Sequence, residues 1–399
     1  MNFKRAAKGY SIMKLAFAMY DLGFGGGNRA IIEVANRLHD RGYDVNIVSL
    51  SRNKFWPNVK VPVINVKVPV IPAPIRMAVK LYRLLKYFSL KGIESYGDII
   101  ALATRLGIRV DIISPLAEAI MGLDPDVAIA TWYLTAFSVW MSSVNTPLFF
   151  MQDFKEYVEE TEGINGLKRF EAALKLPFSF LTNSTFTKDL VLSYNKNAKV
   201  TIVGVGVDLS IFHPRIGDRL VVSQGKPIVM TIIRRLKYKG GDIALRALNL
   251  INKEQPIHAV LVGEGSALDK YLKEVKPEFT YTKFTYVDDE TLAKLYSSSD
   301  VFIFTSYREG FGLPPLEAMA SGTAVVTTDC GGNRDYAIDG YNSFVVPPGD
   351  PVAVTKAVLH ILRDSKLRER LIEGGLETAK KWTWDKVVDK FEKVLKSES

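Results

Sequence analysis

In VFIFTSYREGFGLPPLEAMASGTAVVTTDCGG, residues 301–332, two strand-length apolar runs, VFIFT and AVVTT, flank a loop and a helical pattern. Strand, helix and strand in that order form the repeating unit of a parallel sheet covered by helices. The loop carries Glu309, and Glu317 stands eight residues later, one to two turns inside the helix. An acid amid Leu316, Ala318 and Met319 is costly to bury unless a hydroxyl or a cation meets it. Between the two acids, Gly310, Phe311, Gly312 and Leu313 offer backbone amides to an anion at the helix start. Carboxylates for hydroxyls beside amides for phosphate describe a sugar nucleotide. Either glutamate alone has a simpler reading, Glu317 as an exposed helix residue and Glu309 as a carboxylate set against the helix dipole. That reading fits the combined spacing poorly.

The same alternation extends in both directions. KLAFAM (14–19), VNIVSL (45–50), DVAIA (126–130), PLFFM (147–151), FSFLTN (178–183) and VTIVG (200–204) read as strands of the first half. IVMTII (228–233), HAVLVG (258–263) and TYTKF (280–284) join VFIFT and AVVTT in the second. Helical patterns lie between, as in NRAIIEVANRLHDRG (28–42), where Ile31, Val34, Ala35 and Leu38 share a face and Gly42 ends the helix. This predicts an α/β chain of two doubly wound domains, with the break after VGVGVDLSIFHP (203–214) and the second sheet starting at Pro227. The expected divisions are an N-terminal extension over 1–12, a first domain over 13–208, a second over 209–381 and a closing helix in 382–399. In that helix Thr383 is the expected cap, and Val387, Val388, Phe391 and Leu395 form a side that needs a surface, with the N-terminal domain as a candidate.

With 399 residues, 47% hydrophobic and 24% charged, the chain has material for two cores, which excludes a disordered or fibrous protein. The single cysteine, Cys330, excludes a disulfide framework and a cysteine-built zinc site. His39, His213, His258 and His360 lie far apart without metal-ligand spacing. The apolar runs fall short of the roughly 20 residues a membrane-crossing helix needs. The basic start MNFKRAAKGYSIM leads into a glycine turn rather than a signal-peptide core, so a cytoplasmic location is expected.

The charge is uneven. Lys and Arg number 52 against 43 Asp and Glu, a net +9, yet no acid occurs between Asp44 and Glu94. Such a field suits an anionic partner (phosphate, anionic lipid or nucleic acid), while a solvated helix face is the plainer alternative. Within the stretch, IRMAVKLYRLLKYFSLK (75–91) sets Arg76, Lys80, Arg83 and Lys91 on one helical arc and Met77, Leu81, Leu84 and Phe88 on another. That pattern fits a helix resting on anionic membrane, or one burying its apolar face in its own domain.

Two further turns sit at strand-to-helix junctions. In DLGFGGGNRAIIEVANRL (21–38), Gly25, Gly26 and Gly27 would let backbone approach a ligand. The spacing is not a clean GxGxxG and the second strand lacks the acid that holds a ribose, so a dinucleotide site is excluded and a tight structural turn remains an alternative. In IIRRLKYKGGDIALRAL (232–248), Arg234, Arg235, Lys237 and Lys239 crowd a helix N-terminus, an arrangement that a diphosphate would relieve.

EGFGLPPLE resembles the E-x7-E motif of the retaining glycosyltransferases of family 4, or glycosyltransferase group 1. Those have the GT-B architecture of two doubly wound Rossmann-like domains facing a central cleft. MTIIRRLKYKG (230–240) is similar to the family's phosphate segment, LVGEGS (261–266) to its glycine turn, and GGNRDYAIDGYNSFVVPPGD (331–350) to the segment that follows the motif. The first half matches more loosely, at GGGNR (25–29), FFMQDFKEY (149–157) and LTNSTFTKDLV (181–191). The segments QDF and NRDYAIDGYNSF resemble rhamnosyltransferase-like members that build surface polysaccharides.

The resemblance implies a hexosyl- or deoxyhexosyltransferase that takes a nucleotide-diphosphate-sugar donor and a glycan or lipid-linked acceptor. It implies that Arg235 and Lys239 hold the diphosphate, that Gly310, Phe311, Gly312 and Leu313 supply amides near it, and that Gly26 and Gly27 face it from across the cleft. Glu309 would contact hydroxyls of the transferred sugar, Glu317 the ribose, Gly263 the glycine turn of the donor site, and Val287 the base through its backbone. The acceptor would attack on the face the leaving group departs from, with the departing diphosphate taking the proton. No metal or other cofactor is implied, and Asp124–Pro125–Asp126 reads as the turn before a strand.

Three positions depart from the pattern. Arg234 replaces a common glycine, Gln152–Asp153 stands where His-Asp is frequent, and Asp335 replaces a glutamate. Gln152 is restricted to hydrogen bonding, which leaves Asp153 to orient the acceptor or assist its proton, or to serve structure alone. Three rival readings are weighed against transfer to a cell-surface or glycoprotein glycan. A nucleic-acid-binding protein suits the charge but lacks a motif. A catalytically silent sugar-nucleotide-binding protein should have lost Glu309, Glu317 or the Arg235–Lys239 pair, and all are present. A soluble disaccharide or glucan synthase of the same fold is the enzymatic rival.

Overall fold

The runs KLAFAM, VAIA and LFFM become central strands because helices cover both of their faces, which lets them be apolar throughout. A computed structural model describes residues 12–23, 25–50, 58–67, 110–215 and 220–398. The first sheet comprises β1 (Lys14–Met19), β2 (Asp44–Ser49), β3 (Val63–Asn65), β4 (Val127–Ala130), β5 (Thr146–Met151), β6 (Ser179–Thr182) and β7 (Lys199–Ile202). Its order is β3-β2-β1-β4-β5-β6-β7, with parallel pairing throughout. The order reverses between β1 and β4, where Phe17 stands opposite Ile129. Among the described residues its helices are α1 (Gly26–Asp40), α2 (Val110–Leu123), α3 (Tyr133–Ser142), α4 (Lys155–Leu174) and α5 (Thr185–Tyr194). α1 ends where Gly42 turns at φ +93°, and α4 is kinked at Gly163, whose φ of 64° is not helical.

The second sheet comprises β8 (Ile228–Ile233), β9 (His258–Gly263), β10 (Thr280–Thr285), β11 (Val301–Phe304), β12 (Ala324–Thr328) and β13 (Phe344–Val346). It is again parallel, in the order β10-β9-β8-β11-β12-β13, and reverses between β8 and β11. Around it lie α6 (Gly241–Glu254), α7 (Gly265–Val275), α8 (Asp289–Ser297), α9 (Leu313–Ala320), α10 (Pro351–Arg363) and α11 (Ser365–Ala379). Side chains of Asp288, Asp350 and Asp364 cap α8, α10 and α11 by accepting from backbone N–H groups. Leu245, Leu248, Leu261, Val301, Ile303 and Val326 are fully buried in this core, each stabilising the sheet–helix contact by roughly 1.5–3 kcal/mol.

By its internal contacts the chain divides into one unit of Met1–Val203 with Val387–Ser399 and another of Gly204–Lys386. The last helix, α12 (Trp384–Glu398), supplies most of its length to the first unit. There Phe391 meets Phe150 edge-on at 5.1 Å, and Arg41 reaches Asp389 at 2.8 Å and Glu392 at 2.6 Å. The second unit brings Val207 beside Thr383, where the Val207 amide donates to the Trp382 carbonyl at 2.8 Å. A Cβ on Gly206 would lie 2.3 Å from the Trp384 amide nitrogen, so the strand-like VGVGV needs its glycine for backbone contact. Among the described residues no helix is long and apolar enough to cross a membrane.

Candidate active site

Reversal of strand order leaves a crevice at the C-terminal strand ends, and β8 and β11 flank that point in the second sheet. Their following loops are tied together. The Tyr307 amide donates to the Tyr238 carbonyl at 2.7 Å, and the Thr305 hydroxyl to the Gly240 carbonyl at 2.8 Å. Gly240 turns at φ +64°, and a Cβ there would meet the Thr305 oxygen at 2.1 Å. This contact places Lys239, at the end of a single 3-10 turn (Lys237–Lys239), against the loop that carries Glu309. Its Nζ donates to both Glu309 carboxylate oxygens, at 2.8 and 2.9 Å, and the Ser306 hydroxyl donates to Oε1 at 2.7 Å. Glu309 is only 7% exposed, so its carboxylate is held by three hydrogen bonds from two side chains in place of water.

The segment after β12 braces the Glu309 loop from behind. The Glu309 amide donates to the Cys330 carbonyl at 2.7 Å, and the Gly332 amide to the Glu309 carbonyl at 3.0 Å. A Cβ on Gly332 would lie 2.1 Å from the Gly310 oxygen, which is why a glycine follows Gly331. Asn333 fixes the segment by donating to Thr327 Oγ1 and the Thr328 carbonyl while accepting from the Cys330 amide. Gly312 opens α9 at φ +82°, and the Tyr336 hydroxyl donates to its carbonyl.

The other donor-site residues have distinct settings. Phe311 is buried, its ring 5.1 Å from Tyr336 and 5.3 Å from Trp382, so the side chain is committed to packing and leaves only its backbone for a ligand. Gly310 is buried and Leu313 half-buried. Glu317 is 3% exposed, with the Tyr296 hydroxyl donating to Oε2 at 3.4 Å. Arg235 is exposed and has no hydrogen bond or ion pair with a described residue, whereas Arg234 lies 4.0 Å from Glu264. Gly263 has a packing requirement of its own, since a Cβ would meet the Ile233 oxygen at 2.3 Å. Val287 is half-buried and follows the exposed Tyr286, which adopts φ +53°.

In the first unit, Gly25 closes the turn after β1 and Gly26 and Gly27 begin α1. Among the described residues none of the three has a neighbour closer than 3.9 Å to a built Cβ, so packing against these residues does not demand glycine there. Asn28 ties the turn by donating to Asp21 and to the Gly23 carbonyl, both at 2.9 Å, and Gln152 donates to the Gly27 carbonyl at 3.2 Å. Asp153 follows β5 with Oδ2 enclosed and without a hydrogen-bond partner among the described residues. Burial pushes its carboxyl well above the usual range, and the charge of Glu162 adds to the shift. Tyr157 beside it is pushed up to about 12 by burial and by Asp153, Asp21 and Glu162. Trp132 lies 5.6 Å from Tyr157, and Tyr133 bonds to Glu162 through its hydroxyl. Asp124 and Asp126 form the turn before β4, where Asp126 accepts from the Lys14 amide at 2.7 Å. Arg76, Lys80 and Arg83 lie outside the described residues.

Thus Glu309, Lys239, Gly310, Phe311, Gly312 and Leu313 come together, and the Glu309–Lys239 pair assembles two residues that sequence similarity assigns to different parts of a donor. Ser306, Tyr296, Tyr336 and Asn333 escaped the sequence reading; of these only Ser306, three residues before Glu309, has a local spacing that signals it. Among the described residues no three His, Cys, Asp or Glu side chains are grouped as a metal site.

The geometry coincides with sequence likeness. Residues 214–378 match the family model of glycosyl transferases group 1. A D-inositol 3-phosphate glycosyltransferase of Corynebacterium diphtheriae is 28% identical over 226 residues, 52% of this chain and 53% of the relative. One from Thermomonospora curvata is 31% identical over 217 residues, 48% of this chain and 50% of the relative. The chain thus spans about half the length of these curated relatives. Among solved structures, sucrose-phosphate synthase of Thermosynechococcus elongatus has a TM-score of 0.75 at 18% identity, covering 96% of this chain and 98% of the other. HepE of Anabaena, in complex with UDP-glucose, also has a TM-score of 0.75, at 16% identity and covering 96% and 100%. The fold is GT-B, as the sequence implies.

Proposed function

We propose that this chain is a retaining glycosyltransferase that moves a hexosyl or deoxyhexosyl group from a nucleotide-diphosphate-sugar to a glycan or lipid-linked acceptor. The observation that carries the reading is the Lys239–Glu309–Ser306 cluster at the strand-order reversal of a group 1 segment, with the exposed Arg235, four residues before Lys239, bonded to no described residue. In this reading Arg235 and Lys239 meet the diphosphate, Glu309 the sugar hydroxyls, Glu317 the ribose, and Gly263 and Val287 border the base. As the anomeric carbon–oxygen bond breaks, positive side chains stabilise the charge growing on the diphosphate. The acceptor oxygen forms the new bond on the same face and its proton passes to the departing phosphate oxygen. Asp153, enclosed and raised in pKa, is the first unit's candidate for orienting an acceptor hydroxyl. A cell-surface polysaccharide acceptor, rhamnosyltransferase-like specificity, metal independence and a cytoplasmic, peripheral-membrane setting belong to the same proposal.

Incubation with UDP-, GDP-, ADP- and dTDP-sugars, reading nucleoside diphosphate release and product anomeric configuration by NMR, tests it. Release with retention is expected for one donor. Inversion, or release unaffected by Glu309→Gln, would overturn the assignment.

A further inference from the structure

The start of an α-helix normally leaves four amides without an intrahelical partner. At the start of α9 these belong to Gly312, Leu313, Pro314 and Pro315, and proline has no N–H. The double proline therefore leaves Gly312 and Leu313 as the only donors at that end. The Leu313 N–H makes no hydrogen bond with a described residue. Its direction is set by the Gly312 carbonyl, because the two groups are opposite ends of one planar trans peptide. That carbonyl is the one the Tyr336 hydroxyl bonds.

We infer that Tyr336 is a positioning residue that aims the Leu313 amide at the donor diphosphate by anchoring the Gly312–Leu313 peptide plane. The inference rests on the donor-site reading above. Tyr336 is fitted to this task by its setting. It is 2% exposed, with its ring held between Phe311 at 5.1 Å and Trp382 at 6.3 Å. Asn342 bonds its backbone carbonyl at 2.7 Å and Asn333 accepts its amide at 3.1 Å. A Cβ on Gly312 would approach the Tyr336 oxygen to 3.4 Å, so the hydroxyl also occupies the side where a larger residue would turn the peptide. Burial, with the charges of Glu309 and Glu317, raises the phenol well above its ordinary range, so it remains a donor at working pH. A buried hydroxyl needs an acceptor, and the one it takes here is the carbonyl whose peptide presents the Leu313 amide.

Tyr336→Phe in the full chain keeps the ring and releases the peptide. Calorimetric affinities for UDP, GDP, ADP and dTDP, each against its monophosphate, report on the phosphate that the amide would meet. For the nucleotide that binds, Tyr336→Phe should lower the diphosphate-to-monophosphate affinity ratio about five- to tenfold, the share of one charge-assisted hydrogen bond misaimed. Thr355→Val is the control, because it removes a buried hydroxyl bonded to the Pro351 carbonyl on α10, outside the loop, and should leave the ratio alone. If Tyr336→Phe leaves the wild-type ratio intact, the positioning role is overturned while the donor reading stands. If the wild-type chain binds no nucleoside diphosphate, both fall. Should Tyr336→Phe fail to fold, the wild-type Leu313 amide resonance decides. A shift with the diphosphate that its monophosphate does not reproduce supports the role, and equal or absent shifts overturn it.

Discussion

Replacing Glu309 by Gln preserves shape but removes the charge that holds Lys239. The ammonium is engaged by both carboxylate oxygens at 2.8 and 2.9 Å, with side-chain exposures of 24% for Lys239 and 9% for Glu309. Breaking a buried pair by removing one partner costs about 3–5 kcal/mol, but solvent reaching the lysine reduces this to about 1–2 kcal/mol. A diphosphate that recruits Lys239 must pay that cost in the wild type and not in Glu309→Gln. The variant should thus bind nucleoside diphosphate with unchanged to about tenfold higher affinity, since about 1.4 kcal/mol is a factor of ten. Transfer should fall about a hundredfold, because the carboxylate that orients the sugar hydroxyls is gone. Paired calorimetry and initial-rate measurements separate the two effects. Affinity and rate falling together by the same factor would refute the reasoning, since the carboxylate would then be part of the diphosphate site itself.

Gly332→Ala puts a methyl 2.1 Å from the Gly310 oxygen, so it should destabilise the second unit by about 2–4 kcal/mol and abolish transfer, as thermal unfolding and rate assays would show. Phe391→Ala removes the edge-on partner of Phe150 and should cost the first unit about 3–5 kcal/mol in urea titrations. Asp153 has a folded pKa raised above its ordinary 3.8, so the folded state holds the proton more tightly and its contribution to stability is lost as pH rises from about 4 toward the folded value. Asp153→Asn should therefore exceed the wild type in urea midpoint at neutral pH, with the gap closing below about pH 4. A gap independent of pH would contradict the buried-charge account.

The fold was legible because its signals are local. Apolar runs, Gly42 after α1 and the glycine loop before α9 each act within a few residues. The site was legible only in part. Glu309, Lys239 and the amide loop stood out through similarity, but their mutual bond spans 70 positions and leaves no periodic trace. Tyr336 and Gly312 are 24 residues apart for the same reason. The resemblance assigns Phe311 to the donor through its amide alone; that its ring fills the Tyr336–Trp382 cluster was not legible, because an aromatic in a glycine loop carries no mark of which way it points. The three glycines after β1 present the opposite case. Sequence leaves a structural turn open, whereas the space around each Cβ position shows that packing against the described residues makes no such demand.

Calorimetric titration of the full chain with UDP-, GDP-, ADP- and dTDP-sugars, repeated with Arg235→Ala, is the direct test of the donor site. One sugar nucleotide should bind to the wild type and bind at least about tenfold more weakly to the variant, as expected for loss of a charge-assisted contact to phosphate. A folded protein that binds none of the four, or that binds one equally well without Arg235, would contradict the account.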